Sequence, residues 1–222
     1  MSTDSLKEAV DEVTSRVRNA LAAAVAARRA DLLEDDTSHY EVYRILGVPP
    51  SECELIDLYQ NVGRFVYKYA GALLENTTRL LLEDSGKGGP ITLPNTVSRN
   101  PVNFEIDCYT SRDNKAHEIK WRDATTDGDH IRKEMNKITS IVHAGYIPVR
   151  VMYYMPVRTQ VKRIQERILD LFREHGEAYV GEEAWEYVSA YAGFDLKAAL
   201  REFDQPHPEW LATLHELGED VE

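Results

Sequence analysis

The chain has 222 residues, 43% hydrophobic and 29% charged, which is material for one sizeable core and excludes a collagen-like, disulfide-stapled or wholly disordered protein. No stretch nears the roughly 20 apolar residues of a membrane span, and the charged start (MSTDSLKEAVDEV) lacks a signal peptide's apolar centre, so a cytoplasmic protein is expected, with Cys53 and Cys108 as reduced thiols. The net charge of −12 speaks against an anionic partner, but it is uneven: Arg99–Arg167 holds 13 Lys/Arg against 9 Asp/Glu, while the other 13 basic and 29 acidic residues leave −16 on the flanks, so nucleic acid stays open.

In chain order, residues 5–35 read as a helix, because Leu6, Val10, Val13, Val17, Leu21 and Val25 recur every three or four positions. Gly47 and Pro49-Pro50 mark a break. Ser51 with Glu54 has the spacing of a capping box, opening a second helix that runs to about Asp84. Ser85–Pro90 (SGKGGP) is loop chemistry. Residues 90–99 have room for a short strand.

Asn103–Tyr109 then alternates polar and apolar residues as a half-buried strand does, Ser111–Asn114 is a turn, and Ala116–Trp121 is the returning strand. Asp127–Asp129 leads into a helix of about 15 residues ending near Gly145. Tyr146–Met155 reads as a buried strand, and the remainder is helical, broken near Gly176, Gly193 and Pro206–Pro208. The expected fold class is therefore α/β, a central mixed β-sheet flanked by N- and C-terminal helices. The expected organisation is a single domain over 1–222, with an N-terminal helical part (1–85), an α/β core (86–156) and a C-terminal helical part (157–222).

The informative residues lie on the two central strands. Side chains alternate faces along a strand, so Glu118 and Lys120 point one way while Ile119 points into the core. Glu105 and Asp107 likewise share a face, opposite Phe104 and Ile106. If the strands pair as a hairpin, Asp107 lies beside Glu118 and Lys120. Two carboxylates that close repel unless a cation sits between them, and Mg²⁺ or Mn²⁺ suits oxygen ligands. Such an ion activates water and neutralises charge on a phosphoryl group, and a lysine beside it can hold the water or stabilise the transition state. The alternative reading of these residues is a solvated strand face with cross-strand charge pairs.

The pattern Asp107, ten residues, Glu118-Ile119-Lys120 resembles the signature of the PD-(D/E)xK nuclease superfamily, with Pro101 standing six residues before the acid rather than next to it. More narrowly, residues 118–134 (EIKWRDATTDGDHIRKE) resemble type II restriction endonucleases of the ApaLI-like family. The resemblance implies an αβββαβ-type core and a Mg²⁺-dependent endonuclease, with Mn²⁺ as a substitute, cutting double-stranded DNA at a short specific sequence as a homodimer. It implies that Asp107, Glu118 and the backbone carbonyl of Ile119 hold the metal and that Lys120 positions the attacking water. Glu75, on the helix before the sheet, is the candidate for a further acid, with a helix-surface carboxylate as the alternative; Glu105 is a weaker candidate for the same site.

The segment after the motif is the expected DNA-facing element. Arg122, Arg132, Lys133 and Lys137 would neutralise phosphates, while Thr125, Thr126, Asp127, Asp129 and His130 would contact DNA or cap the following helix. The outer helices, 5–35 and 157–218, are candidates for the dimer interface. A DNA repair or recombination nuclease of the same fold, and a non-catalytic DNA-binding domain, are the alternatives.

Asp123 to Glu134 also mimics an EF-hand calcium loop. A strand precedes it where an entering helix is required, and Thr125 and His130 stand at wrong positions, so calcium binding is not expected. Ser85–Gly89 lacks the order of a P-loop and follows a helix. His39 and His207 have no metal-ligand spacing.

Overall fold

The computed structural model describes residues 1–125 and 129–208. The long first helix, α1 (Thr3–Leu33), starts at Ser2, whose hydroxyl accepts from the Ser5 N–H. A short helix, α2 (Tyr40–Ile45), follows and buries none of its residues. The second long helix, α3, spans Pro50–Gly86. It begins on Pro50 without a side-chain cap, so the Ser51/Glu54 capping box is not formed: proline's preset φ and missing N–H suit the first helical position.

The sheet follows: β1 (Gly88–Pro94), β2 (Asn103–Thr110), β3 (Lys115–Lys120), helix α4 (His130–His143), β4 (Ile147–Met152), helix α5 (Thr159–His175) and β5 (Glu177–Val180). Helices α6 (Glu182–Ala192) and α7 (Leu196–Arg201) complete the described chain. Five strands lie in the order β1-β2-β3-β4-β5, antiparallel from β1 to β3 and parallel from β3 to β5. The architecture is thus α/β with a mixed sheet between helices. The parallel half needs helical crossovers, which α4 and α5 supply. At the start of β1, Gly88 lies so close to β2 that a Cβ there would stand 1.7 Å from the Tyr109 carbonyl oxygen.

Two cores form, one on each face. Leu74, Leu81 and Leu82 of α3 pack with Leu6 and Val10 of α1, Trp185 and Val188 of α6, and Cys108, Ile119, Val149 and Val151 of the sheet. On the other face Ile138 of α4 packs with Met152 and with Ile168, Leu169 and Phe172 of α5, and Ile141 packs with Leu93, Ile106 and Ala116. Cys108 is fully buried, which pushes its thiol up to about 12 and leaves it a structural group.

Candidate active site

The site is made where the central ladder breaks. Gly89 pairs with Tyr109, but Ile91 pairs with Ile106. Two residues of β1 are therefore matched by three steps of β2, the signature of a bulge. Its consequence is that Ile106 joins the α4 face while Cys108 joins the α3 face. Pairing of β2 with β3 ends at Cys108 and His117. Beyond that point the Asp107 side chain takes over from the ladder, and its Oδ2 accepts the Ile119 N–H at 2.7 Å. One sequence position thus holds the splayed strands together and aims a carboxylate between them.

Glu118 comes from the neighbouring strand and is fully buried. Lys120 Nζ stands 3.6 Å from Asp107 Oδ2 and 3.8 Å from Glu118 Oε2. Burial works against the charge on Lys120, but the Glu118 and Asp107 carboxylates outweigh it and raise its pKa. Burial also raises the pKa of Glu118; Lys137 opposes that rise and Asp107 adds to it.

Glu75, on α3, lines a cleft of about 360 Å³ together with Arg79, Glu105 and Asp107. Its pKa is raised, first by partial burial and then by the Asp107 charge. The structure therefore puts Glu75 within electrostatic reach of the motif. Glu105 lies on the same wall, with its backbone carbonyl accepting from Lys137.

A second cleft, of about 530 Å³, has Lys120 in its wall. Tyr67, Arg122, Asp123, Thr125 and His130 line it with that lysine. The Tyr67 hydroxyl donates to the Arg122 carbonyl at 2.9 Å and ties α3 to this wall. His130 Nε2 lies 2.9 Å from Asp123 Oδ2, and the Thr125 N–H donates to Asp123 Oδ1. Asp129 precedes α4 without capping it through its side chain and pairs with Arg132 at 2.7 Å and with Lys133 at 3.6 Å. Both cations remain exposed, Arg132 at 71% and Lys133 at 54%. Thr126 and Asp127 lie outside the described residues.

Lys137 does not face outward with them. Its ammonium sits 2.9 Å from Glu118 Oε2, inside the site.

Sequence reasoning missed Arg150. It is fully buried on β4 and donates to Glu134 Oε2 at 3.1 Å, Asp123 Oδ2 at 3.0 Å and Gln165 Oε1 at 3.2 Å. Burial alone would raise the Asp123 pKa, but the His130 hydrogen bond and the Arg150 charge hold it well below the usual carboxylate range. The first and last acids of the calcium-loop mimic are thus ligands of a guanidinium. The available signal was a lone arginine inside the apolar run of residues 146–155.

No metal centre of three or more His, Cys, Asp or Glu side chains converges among the described residues. The donor set at the strand break is smaller, the two carboxylates of Asp107 and Glu118 on either side of Lys120. It suits a hard divalent ion in chemistry, being all oxygen. One observation favours the fit: Glu118 Oε1 is buried and has no hydrogen-bond partner, a costly state for a carboxylate oxygen unless something else coordinates it.

The model of the ApaLI-like restriction endonuclease family matches residues 1–205. The chain belongs to that family. Membership extends the likeness from the residues around the motif to α1, α3 and the C-terminal helices, and it makes the chain a restriction-endonuclease-type nuclease. Neither the curated proteins nor the solved structures give a match. Among the described residues, no helix is long and apolar enough to cross a membrane.

Proposed function

We propose that this member of the family is a Mg²⁺-dependent type II restriction endonuclease that hydrolyses phosphodiester bonds in duplex DNA at a short specific sequence, acting as a homodimer. The observation that carries this reading is the convergence of Asp107, Glu118 and Lys120 at the strand break, with one Glu118 oxygen buried and bare. In the wider family assignment it finds its substrate class.

In this reading Asp107, Glu118 and the Ile119 carbonyl hold Mg²⁺, and Mn²⁺ takes its place where supplied. The ion supplies Lewis-acid activation of water and charge neutralisation at the scissile phosphate. Lys120 holds the attacking water in line with the phosphorus, through an ammonium fixed by two carboxylates. Glu75, on the α3 wall of the same cleft and with its proton affinity raised, takes the proton that the water gives up.

Arg122 and Thr125 in the second cleft, and Arg132 and Lys133 on α4, contact the phosphates on either side of the scissile bond. Thr126 and Asp127 belong to the same segment. Asp129 and His130 are held by Arg132 and Asp123 and act by fixing the segment's shape. A two-fold dimer puts one such site on each strand of a palindromic sequence.

Digestion of mapped plasmid and phage DNA tests this directly, in Mg²⁺ and in EDTA, with Lys120→Ala alongside. Discrete fragments that need the metal and vanish in the variant are expected. A metal-dependent smear would replace site-specific cutting by a shape-directed nuclease. Folded protein that shifts DNA on a gel but never cuts it in Mg²⁺ or Mn²⁺ would overturn the nuclease reading.

A further inference from the structure

The residue best placed to change the behaviour of this site is not part of the motif. Lys137 reaches Glu118 from α4, a different element from the strands that carry Asp107, Glu118 and Lys120. Its ammonium is nearer to Glu118 Oε2, at 2.9 Å, than that of Lys120, at 3.8 Å. A second acceptor, the Glu105 carbonyl at 3.2 Å, fixes it from β2. The side chain is 18% exposed, so this is a cation drawn into the site and not a surface lysine resting on it.

The two oxygens of Glu118 therefore differ. Oε2 is occupied by Lys137, and Oε1 is bare. A divalent ion bound between Glu118 and Asp107 has to share this carboxylate with two ammoniums, and Lys137, at 2.9 Å against 3.8 Å for Lys120, is the nearer competitor for its charge. Lys137 can leave more easily than the ion can go elsewhere. Its charge rides on a flexible four-carbon stem, which passes the Phe104 ring with the ammonium 6.0 Å from the centroid. It also stands on the helix whose first turns carry Arg132 and Lys133, so a nearby backbone phosphate is the natural acceptor once Glu118 is given up.

We propose that Lys137 is a positioning residue that competes with the divalent ion for Glu118 and yields the carboxylate when a DNA phosphate receives its ammonium. This rests on the metal-site reading above and deepens it. Metal and DNA then favour each other's binding through one side chain, and by linkage each raises the other's affinity by the same factor. The free protein holds the ion weakly, which keeps an unliganded nuclease idle.

Calorimetric titration of Mn²⁺ alone into the full chain, without DNA and at one fixed alkaline pH, tests this with no reliance on cleavage. Lys137→Met removes the competing charge while keeping the stem, and is expected to bind Mn²⁺ about tenfold more tightly than the unchanged chain. Lys137→Arg keeps the charge and is expected to stay close to the original affinity. Lys137→Gln serves in place of the methionine variant should circular dichroism show the latter to be unfolded. Equal or weaker Mn²⁺ binding by the uncharged variants, with binding by the unchanged chain intact, overturns the proposal and leaves the metal site standing. Absence of Mn²⁺ binding in every variant and in the unchanged chain overturns both.

Discussion

Glu118 and Arg150 are register partners on adjacent strands, both buried completely, yet they belong to two different kinds of charged cluster. Arg150 gives its two terminal nitrogens to Asp123, Glu134 and Gln165 at 3.0–3.2 Å, partners drawn from three separate segments. Glu118 keeps one oxygen bare and has the motif lysine 3.8 Å away. The first cluster fastens the segment after Lys120 to β4 and to the helices behind it. The second holds its carboxylate by two ammoniums, Lys137 at 2.9 Å and Lys120 at 3.8 Å. Each cluster keeps a buried polar atom without a partner, Arg150 Nε in the first and Glu118 Oε1 in the second, so the difference lies in its kind: a donor in the cluster that ties segments together, and in the other an acceptor of the sort a cation can use.

Lys120→Ala is expected to lower the cleavage rate by about 10²–10³-fold, since it removes a preorganised charge from the reacting centre, while the urea midpoint stays nearly unchanged; a single-turnover assay beside a denaturation curve checks both. Arg150→Met should do the opposite to stability. It strands Asp123 and Glu134 in the interior, and a loss of about 3–5 kcal/mol is expected from the urea curve. A loss below about 1 kcal/mol would show that these acids find water instead of burial.

Burial pushes the Glu118 carboxyl up to about 7, with Asp107 adding to the rise and Lys137 opposing it. Below that pH Glu118 keeps its proton and offers no charge to a cation; above it the carboxylate is free to bind. Mn²⁺ affinity is therefore expected to drop about tenfold per pH unit below pH 7 and to level off above it, as calorimetry across that range would show. A break near the ordinary carboxylate range would mean that Glu118 is better solvated than its burial implies. The smallest effect belongs to Glu118→Gln, which removes a buried acid whose pairing is incomplete. Its melting curve should move by no more than about 1 kcal/mol, in either direction, although metal binding is lost.

Much of this was legible in the sequence, and the exceptions have physical causes. Alternation along residues 103–109 and 116–121 located β2 and β3, and with them Asp107, Glu118 and Lys120. The bulge that brings Asp107 to the Ile119 N–H was not legible, because it depends on the pairing of β2 with β1. The four residues of β5 (EAYV) are too short for a period to show, and α2 has no buried face to produce one. Ser51 and Glu54 had the spacing of a cap, but Pro50 opens the helix. The contact of Lys137 with Glu118 was not legible, because a lysine on a helix looks the same whether it faces solvent or a buried glutamate. The acids Asp123 and Glu134 have calcium-loop spacing for a reason invisible in one dimension, since their partner lies on β4.

If the break between β2 and β3 is a metal-dependent active site, it binds Mn²⁺ stoichiometrically, and a titration of the full chain shows this. One saturable site per chain in the unchanged protein, lost in Asp107→Asn and in Glu118→Gln while both variants keep their melting transitions, is the expected result. Undiminished Mn²⁺ binding in those two folded variants would contradict it and move the metal to another part of the molecule.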